Sequence, residues 1–176
     1  MLLLAVSATL VAAAADFDHI KVDRVVILKK EHKMLLLSGE QVVRSYRVAL
    51  GRGGLAPKLR RGDGRTPEGT YKIDSRNPAS KYYRALHISY PDHSDAERAR
   101  RLGFNAGGDI EIHGVGRNYD WITPDKHRMS DWTEGCIAVT NREIDEIWML
   151  VPDGTPVEVH SSGEYSQLAQ QRPAQR

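Results

Sequence analysis

Residues 33–50, KMLLLSGEQVVRSYRVAL, constrain the fold more than any other stretch. Two β-prone runs, 33–37 and 41–50, flank Ser-Gly-Glu. A short turn with a central glycine suits a tight reversal and is too brief for a crossover, so the pair reads as an antiparallel hairpin. Just upstream, DRVVILKK (23–30) reads as a third short strand. Val43, Tyr46 and Val48 do not alternate strictly, which leaves the register of the last strand open.

The rest of the chain keeps this character. TYKIDSR (70–76), ALHISY (85–90), DIEIHG (109–114), CIAV (136–139) and PVEVH (156–160) read as strands. SDAERARRLGF (94–104) reads as a helix, with Ser94 or Asp95 as its N-cap and Gly103 as its stop. TNREIDEIWMLV (140–151) is the strongest helix signal. Thr140 or Asn141 caps it, and Ile144, Ile147, Trp148 and Val151 form an apolar stripe. Residues 51–69, rich in glycine, read as a long ordered loop or a lid. Residues 115–133 are polar and aromatic without periodicity, and read as a loop. Strands outnumber helices and do not alternate with them. The expectation is therefore a mostly β fold with peripheral helices, a sandwich or barrel-like sheet, and not a doubly wound one.

At 176 residues one domain is the default. A net charge of +2 is far from a nucleic-acid-binding balance, and it suits a carboxylate-bearing substrate only weakly. Residues 1–15, MLLLAVSATLVAAAA, are uncharged and shorter than a membrane span. They end in Ala13-x-Ala15, so they read as a signal peptide, although the basic start of such a segment is missing. No cysteine follows them directly, which argues against a lipid anchor. Residues 161–176, rich in Gln, Ser and Pro, read as a flexible tail.

Export gives the single cysteine, Cys136, a particular meaning. It has no intramolecular disulfide partner, so it is either an intermolecular pairing residue or a free reactive thiol. Taken alone, such a cysteine is most often a small core residue. Three neighbours favour a nucleophile on a tight turn. Gly135 lets the backbone bend, Thr133 can bond the turn, and a capped helix starts shortly after. Among seven histidines, His113 ends an apolar strand and is followed by Gly114. Its imidazole can take the thiol proton and return it to a leaving amine. No acidic residue is evidently placed to orient the ring, which leaves a backbone carbonyl such as that of Gly114; a structural histidine is the bland alternative. No metal-ligand spacing and no phosphate loop is present, so no metal or cofactor is expected. Lys58, Arg60, Arg61 and Arg65 are either a solvated face or a guide for substrate carboxylates. Arg117, in the polar loop, joins Lys58, Thr133 and Glu134 as candidate substrate-binding side chains.

IEIHG followed by TEGCIAVTN, with APKLRRGDGRTPEGTYKI upstream, resembles the L,D-transpeptidase catalytic domain, whose members are cysteine enzymes of bacterial peptidoglycan. The resemblance covers residues 23–160 and implies an L,D-transpeptidase-like β-sandwich. It implies Cys136 as nucleophile, His113 as general base and acid, the Gly114 carbonyl as the group orienting the ring, and the amides of Gly135 and Cys136 as oxyanion donors. Thr133 matches the family's Ser/Thr position before the cysteine. Peptidoglycan stem peptides are the implied partners, and a periplasmic or envelope location follows. Two positions depart from the common pattern: Glu134 stands where many members have histidine, and Ala138 where many have arginine. The interval from His113 to Cys136 is also longer than the commonest one. Both replacements resemble a branch acting on the link between peptidoglycan and an outer-membrane lipoprotein, so such a lipoprotein is a further candidate partner. Transfer to an amine, hydrolysis of the same bond, and a non-catalytic wall-binding module all stay open.

Overall fold

A computed structural model describes residues 21–117 and 124–161. The expected signal peptide at 1–15 and all but the first residue of the expected tail at 161–176 lie outside them. The strands are β1 (Arg24–Leu28), β2 (Lys33–Ser38), β3 (Gln41–Arg47), β4 (Gly69–Asn77), β5 (Ala85–Ile88), β6 (Glu111–His113), β7 (Ile137–Ala138) and β8 (Pro156–His160). The helices are α1 (His93–Arg101), α2 (Pro124–His127) and α3 (Asn141–Leu150).

The strands form one mixed sheet, ordered β3-β2-β1-β8-β4-β5-β6-β7. The β1/β8 and β6/β7 pairs are parallel and the others antiparallel. The hairpin read from residues 33–50 is the β2–β3 pair. Its imperfect alternation has a cause: the register shifts between Leu36 and Leu37, so Val43 is the extra residue of a bulge. A second shift in β4, between Ile73 and Ser75, accompanies the curl of the sheet. The two ends of the order then meet. Ala49, just past β3, exchanges both backbone hydrogen bonds with Ala138 of β7, at 3.0 and 2.9 Å. Mostly β with peripheral helices is the observed architecture, and its sheet is curled toward a barrel.

Burial follows this closure. Val25, Ile27, Met34 and Leu36 face the main core with Ile112, Ile137, Val139 and Val157. Val26, Leu28, Leu35, Leu37 and Val42 form a second cluster on the opposite face. Burial on both faces explains why these strands are continuous apolar runs rather than alternating ones. α3 packs Ile144, Ile147 and Leu150 inward. Of the two candidate caps, Thr140 is the one used, in a capping box with Glu143. α1 starts earlier than expected. Asp92, not Ser94 or Asp95, is its N-cap, because the Asp92 carboxylate accepts from the Asp95 amide (2.7 Å) and Asp95 accepts from the Asp92 amide (3.3 Å). α2 is a short helix inside the segment read as a loop.

The glycine-rich segment is tied down from below. Lys29, only 1% exposed, donates to Thr66 O (2.9 Å), Glu68 Oε1 (2.9 Å) and Ala56 O (3.3 Å). Burial pulls its ammonium below the ordinary lysine range, against the attraction of Glu68. Lys29→Met removes the charge but leaves those acceptors without their donor. The expected cost is about 3 kcal/mol, read as a lowered urea midpoint with an unchanged slope.

Candidate active site

Of the two residues singled out by sequence, His113 ends β6 and Cys136 immediately precedes β7. The parallel register of the two strands pairs Ile112 with Ile137 and His113 with Ala138. Side chains alternate, so Ile112 and Ile137 enter the core, while Glu111, His113, Cys136 and Ala138 belong to the other face. Carried back two residues, this register sets Cys136 diagonal to His113 on one face. No hydrogen bond joins them among the described residues. The thiol instead points at Asp109 O (3.5 Å).

The imidazole is held on three sides. Nδ1 lies 2.6 Å from Gly114 O. A carbonyl only accepts, so Nδ1 carries the proton and Nε2 keeps its lone pair. Tyr82 stacks on the ring at 4.3 Å, and Trp132 meets it edge-on at 5.8 Å. Gly114 permits this arrangement: a Cβ there would come within 2.5 Å of Asn141 Oδ1 and 2.8 Å of Tyr82 O. Asn141 in turn accepts from Val115 N (3.0 Å) and donates to Gly116 O (3.0 Å), so the first turn of α3 fixes the strand end. Burial holds His113 down at about 4, opposed by its bond to Gly114 and aided by the nearby charges of His127 and Lys81.

The cysteine turn is set by the closure of the sheet. Arg52 N donates to Thr133 O (2.9 Å) and Thr133 N to Leu50 O (3.1 Å). Thr133 Oγ1 donates to Cys136 O (2.7 Å) and accepts from Gly135 N (3.1 Å). Two expectations change here. The Thr133 hydroxyl is committed to the turn rather than turned toward a substrate. The Gly135 amide, expected as an oxyanion donor, is taken by that hydroxyl. No backbone partner is found for the Cys136 amide among the described residues. Burial pushes the Cys136 thiol up to about 11, against the pull of a hydrogen bond from the Glu111 backbone. Thiol and imidazole are thus both neutral at rest.

Gly135 sits at φ 131°, and a Cβ there would come within 2.6 Å of Arg65 O. Gly135→Ala must move either the Cys136 turn or the 51–68 segment. We expect a loss of about 2 kcal/mol in urea unfolding, together with a changed rate of Cys136 alkylation.

A cavity of about 700 Å³ opens on the thiol. Lys58, Arg61, Lys81, Asp109, Glu134 and Cys136 are among its lining residues. Lys58, expected to bind substrate, is only 3% exposed and is bound to Asp63 at 2.8 Å. Desolvation raises the Asp63 carboxyl, but hydrogen bonds from Lys58 and the Leu59, Arg65 and Arg60 amides outweigh it and hold it at about 2. Lys58 therefore braces the loop. Glu134 pairs with Arg52 at 2.6 Å, both largely exposed. Arg117 is not part of this lining. Its guanidinium reaches Pro78 O (3.4 Å) and lies 5.7 Å from the Tyr83 ring centre.

Four residues at the site had no sequence signal of their own. Tyr82 and Trp132 read as ordinary aromatics, and Glu111 as a strand residue. His127 is 5% exposed, with no hydrogen-bond partner for either ring nitrogen among the described residues, and burial lowers it to about 4. His113 and His127 together predict an acid limit. An unfolded chain protonates both near 6.5, whereas the folded chain resists down to about 4. Their contribution is complete above pH 6.5 and falls away as pH drops to 4. Each contributes up to about 3 kcal/mol. The expected melting temperature is flat from pH 7 to 8 and declines between 6.5 and 4, with a shallower decline in His127→Gln. No group of His, Cys, Asp and Glu that could hold a metal is found among the described residues.

A family model described as the YkuD L,D-transpeptidase catalytic domain matches residues 22–159. YafK of Escherichia coli (strain K12) is 35% identical over 113 residues, which is 63% of this chain and 38% of that protein. The chain is thus similar to well under two thirds of that relative's length. Among solved structures, the helical cell shape determining protein Pgp2 from Campylobacter jejuni aligns with a TM-score of 0.62 at 24% identity, over 81% of this chain and 49% of that one. An L,D-transpeptidase from Xylanimonas cellulosilytica aligns with a TM-score of 0.54 at 18% identity, over 80% and 61%. At these identities the structural likeness is one of fold.

Proposed function

From the L,D-transpeptidase catalytic-domain family, to which this chain belongs, we propose that it is a cysteine acyltransferase acting on peptidoglycan stem peptides in the cell envelope. Cys136 is the nucleophile and His113 the general base and acid. The observation that carries this reading is the 2.6 Å bond from His113 Nδ1 to Gly114 O, which leaves Nε2 as a lone-pair acceptor on the face that also bears Cys136.

The steps follow from the neutral resting pair. Substrate displaces the thiol from Asp109 O, and a side-chain rotation turns Sγ toward Nε2. The thiol proton passes to Nε2 as sulfur attacks the carbonyl between the third stem residue, diaminopimelate in this reading, and the D-residue after it. The oxyanion takes a hydrogen bond from the Cys136 amide. The D-amine then leaves with the proton from Nε2, and a thioester remains. An amine resolves it to a cross-link or a protein attachment; water resolves it to a trimmed peptide. Glu134, where the common pattern has histidine, lines the cavity beside the nucleophile and bears on which acceptor enters, whereas Ala138, where the pattern has arginine, is fully buried against Ala49. An outer-membrane lipoprotein is one such acceptor or substrate.

Incubation with purified muropeptides, read by mass, tests this. Cross-linked dimers support transfer, and shortened tripeptides with free D-residue support hydrolysis at the same bond. Binding without any change of mass overturns the enzymatic reading in favour of a wall-binding module.

A further inference from the structure

The cavity on Cys136 contains more positive charge than its own residues neutralise. Three basic side chains line it: Lys58, Arg61 and Lys81. Lys58 is spent on Asp63, and the acidic Glu134 is spent on Arg52. Asp109 is the remaining anion of the lining, against two cations that make no salt bridge among the described residues, Glu111 acting on Lys81 only from further off. The other basic side chains of the loop, Arg60 and Arg65, are not part of this lining. Arg60 lies over the Phe104 ring at 5.6 Å, and the Arg65 guanidinium donates to Gly53 O (3.3 Å) and Pro57 O (3.4 Å).

Both remaining cations hang from backbone that is fixed relative to the chemistry. The Arg61 amide donates to Asn105 O (2.7 Å), which ties its loop to the segment whose Asp109 carbonyl faces the thiol. Lys81 Nζ sits 4.9 Å from the centre of the Tyr82 ring, and that ring stacks on His113. One charge is thereby referenced to the nucleophile and the other to the imidazole. Both side chains are exposed, so a ligand can reach them without unburying anything.

We propose that Arg61 and Lys81 are the carboxylate readers of this site, and that the acyl donor must carry free carboxylates beside the scissile bond. This rests on the stem-peptide reading above. There the leaving D-residue and the diaminopimelate side chain each present a carboxylate close to the carbonyl under attack. The Arg61 fork can grip one of them in bidentate fashion, and the Lys81 ammonium meets the other as a point charge. Amidated stems lose one of these contacts and are poorer donors.

The chain's single cysteine allows a test free of any peptide. Cys136 is alkylated with iodoacetate, which carries a carboxylate, and with iodoacetamide, which does not. The ratio of the two rates reports the local charge and cancels thiol reactivity and access. Arg61→Gln and Lys81→Gln are each expected to lower the ratio roughly twofold, 1 M salt to lower it in the parent, and Arg61→Lys to restore most of it. In the peptide assay, the preference for free-acid over amidated stem in kcat/KM is expected to fall about tenfold in Arg61→Gln. Unchanged alkylation ratios in both glutamine variants overturn the carboxylate pair, whatever the peptides do. A parent protein that leaves every stem peptide intact, while the ratios fall as expected, overturns the stem-peptide reading and supports the pair.

Discussion

Cys136→Ala is expected to fold like the parent and to lose turnover of stem peptides by more than about 10⁴-fold. Folding should survive because the side chain is only half-buried and its polar contacts are weak thiol ones, a 3.5 Å approach to Asp109 O and a hydrogen bond from the Glu111 backbone. The turn around it is held by other atoms: Thr133 Oγ1, the 133–52 backbone bond, and the strand pairing of Ile137 and Ala138. Activity should not survive, because no other cysteine exists in the chain and alanine supplies no nucleophile. Product analysis by mass alongside an unfolding curve checks both halves. A folded Cys136→Ala protein that still releases the D-residue would remove the thioester from the mechanism.

His113→Gln should cost about 10³-fold in kcat. Glutamine keeps a polar group in the buried site and can still donate to Gly114 O, so Tyr82 and Trp132 retain something to pack against. It cannot accept the thiol proton and return it to the leaving amine. With Cys136 pushed up to about 11, almost no thiolate exists at pH 7 without that acceptor. The variant should therefore recover activity as pH rises toward 10, whereas the parent should not depend on alkali. A parent-like pH profile in His113→Gln would show that another group takes the proton. The same variant removes one of the two histidines that make stability fall below pH 6.5, so its acid decline should be shallower.

Much of this protein is legible from its sequence because the signals are local. The hairpin at residues 33–50 follows from two β-prone runs and a turn too short for anything else. The α3 cap falls on one of the two adjacent residues the sequence offers, Thr140 rather than Asn141. A glycine before Cys136 and another after His113 mark places where the backbone must approach something closely, and both do. α1 shows the limit. Several consecutive residues can serve as a cap, and Asp92 prevails because its carboxylate and that of Asp95 satisfy each other's amides.

The roles of the polar side chains were not legible, because hydrogen bonds depend on what the chain brings near from far away. Thr133 reads in sequence both as a bond of the turn and as a substrate contact, and Lys58 as a substrate contact. In the fold the turn takes Thr133 and Asp63 takes Lys58. Lys29 looks like an ordinary charged end of a strand and is a buried anchor for the 51–68 segment. Tyr82, Trp132 and His127 carry no pattern of their own, and they surround His113 only because the sheet curls.

The sequence by itself determined the strands, the two main helices, and the chemistry available at His113 and Cys136, since propensity, periodicity and functional groups travel with the residues. The tertiary structure alone decided which of those groups are free. Closure of the sheet through Ala49 and Ala138 sets the Cys136 turn against residues 49–52, and the parallel register of β6 and β7 turns thiol and imidazole to one face. The same packing neutralises Lys58 and Glu134 and leaves Arg61 and Lys81 open. The physical reason is that a charge or a hydrogen-bond donor has a role only relative to its partners, and partners distant in sequence exist only once the chain has folded.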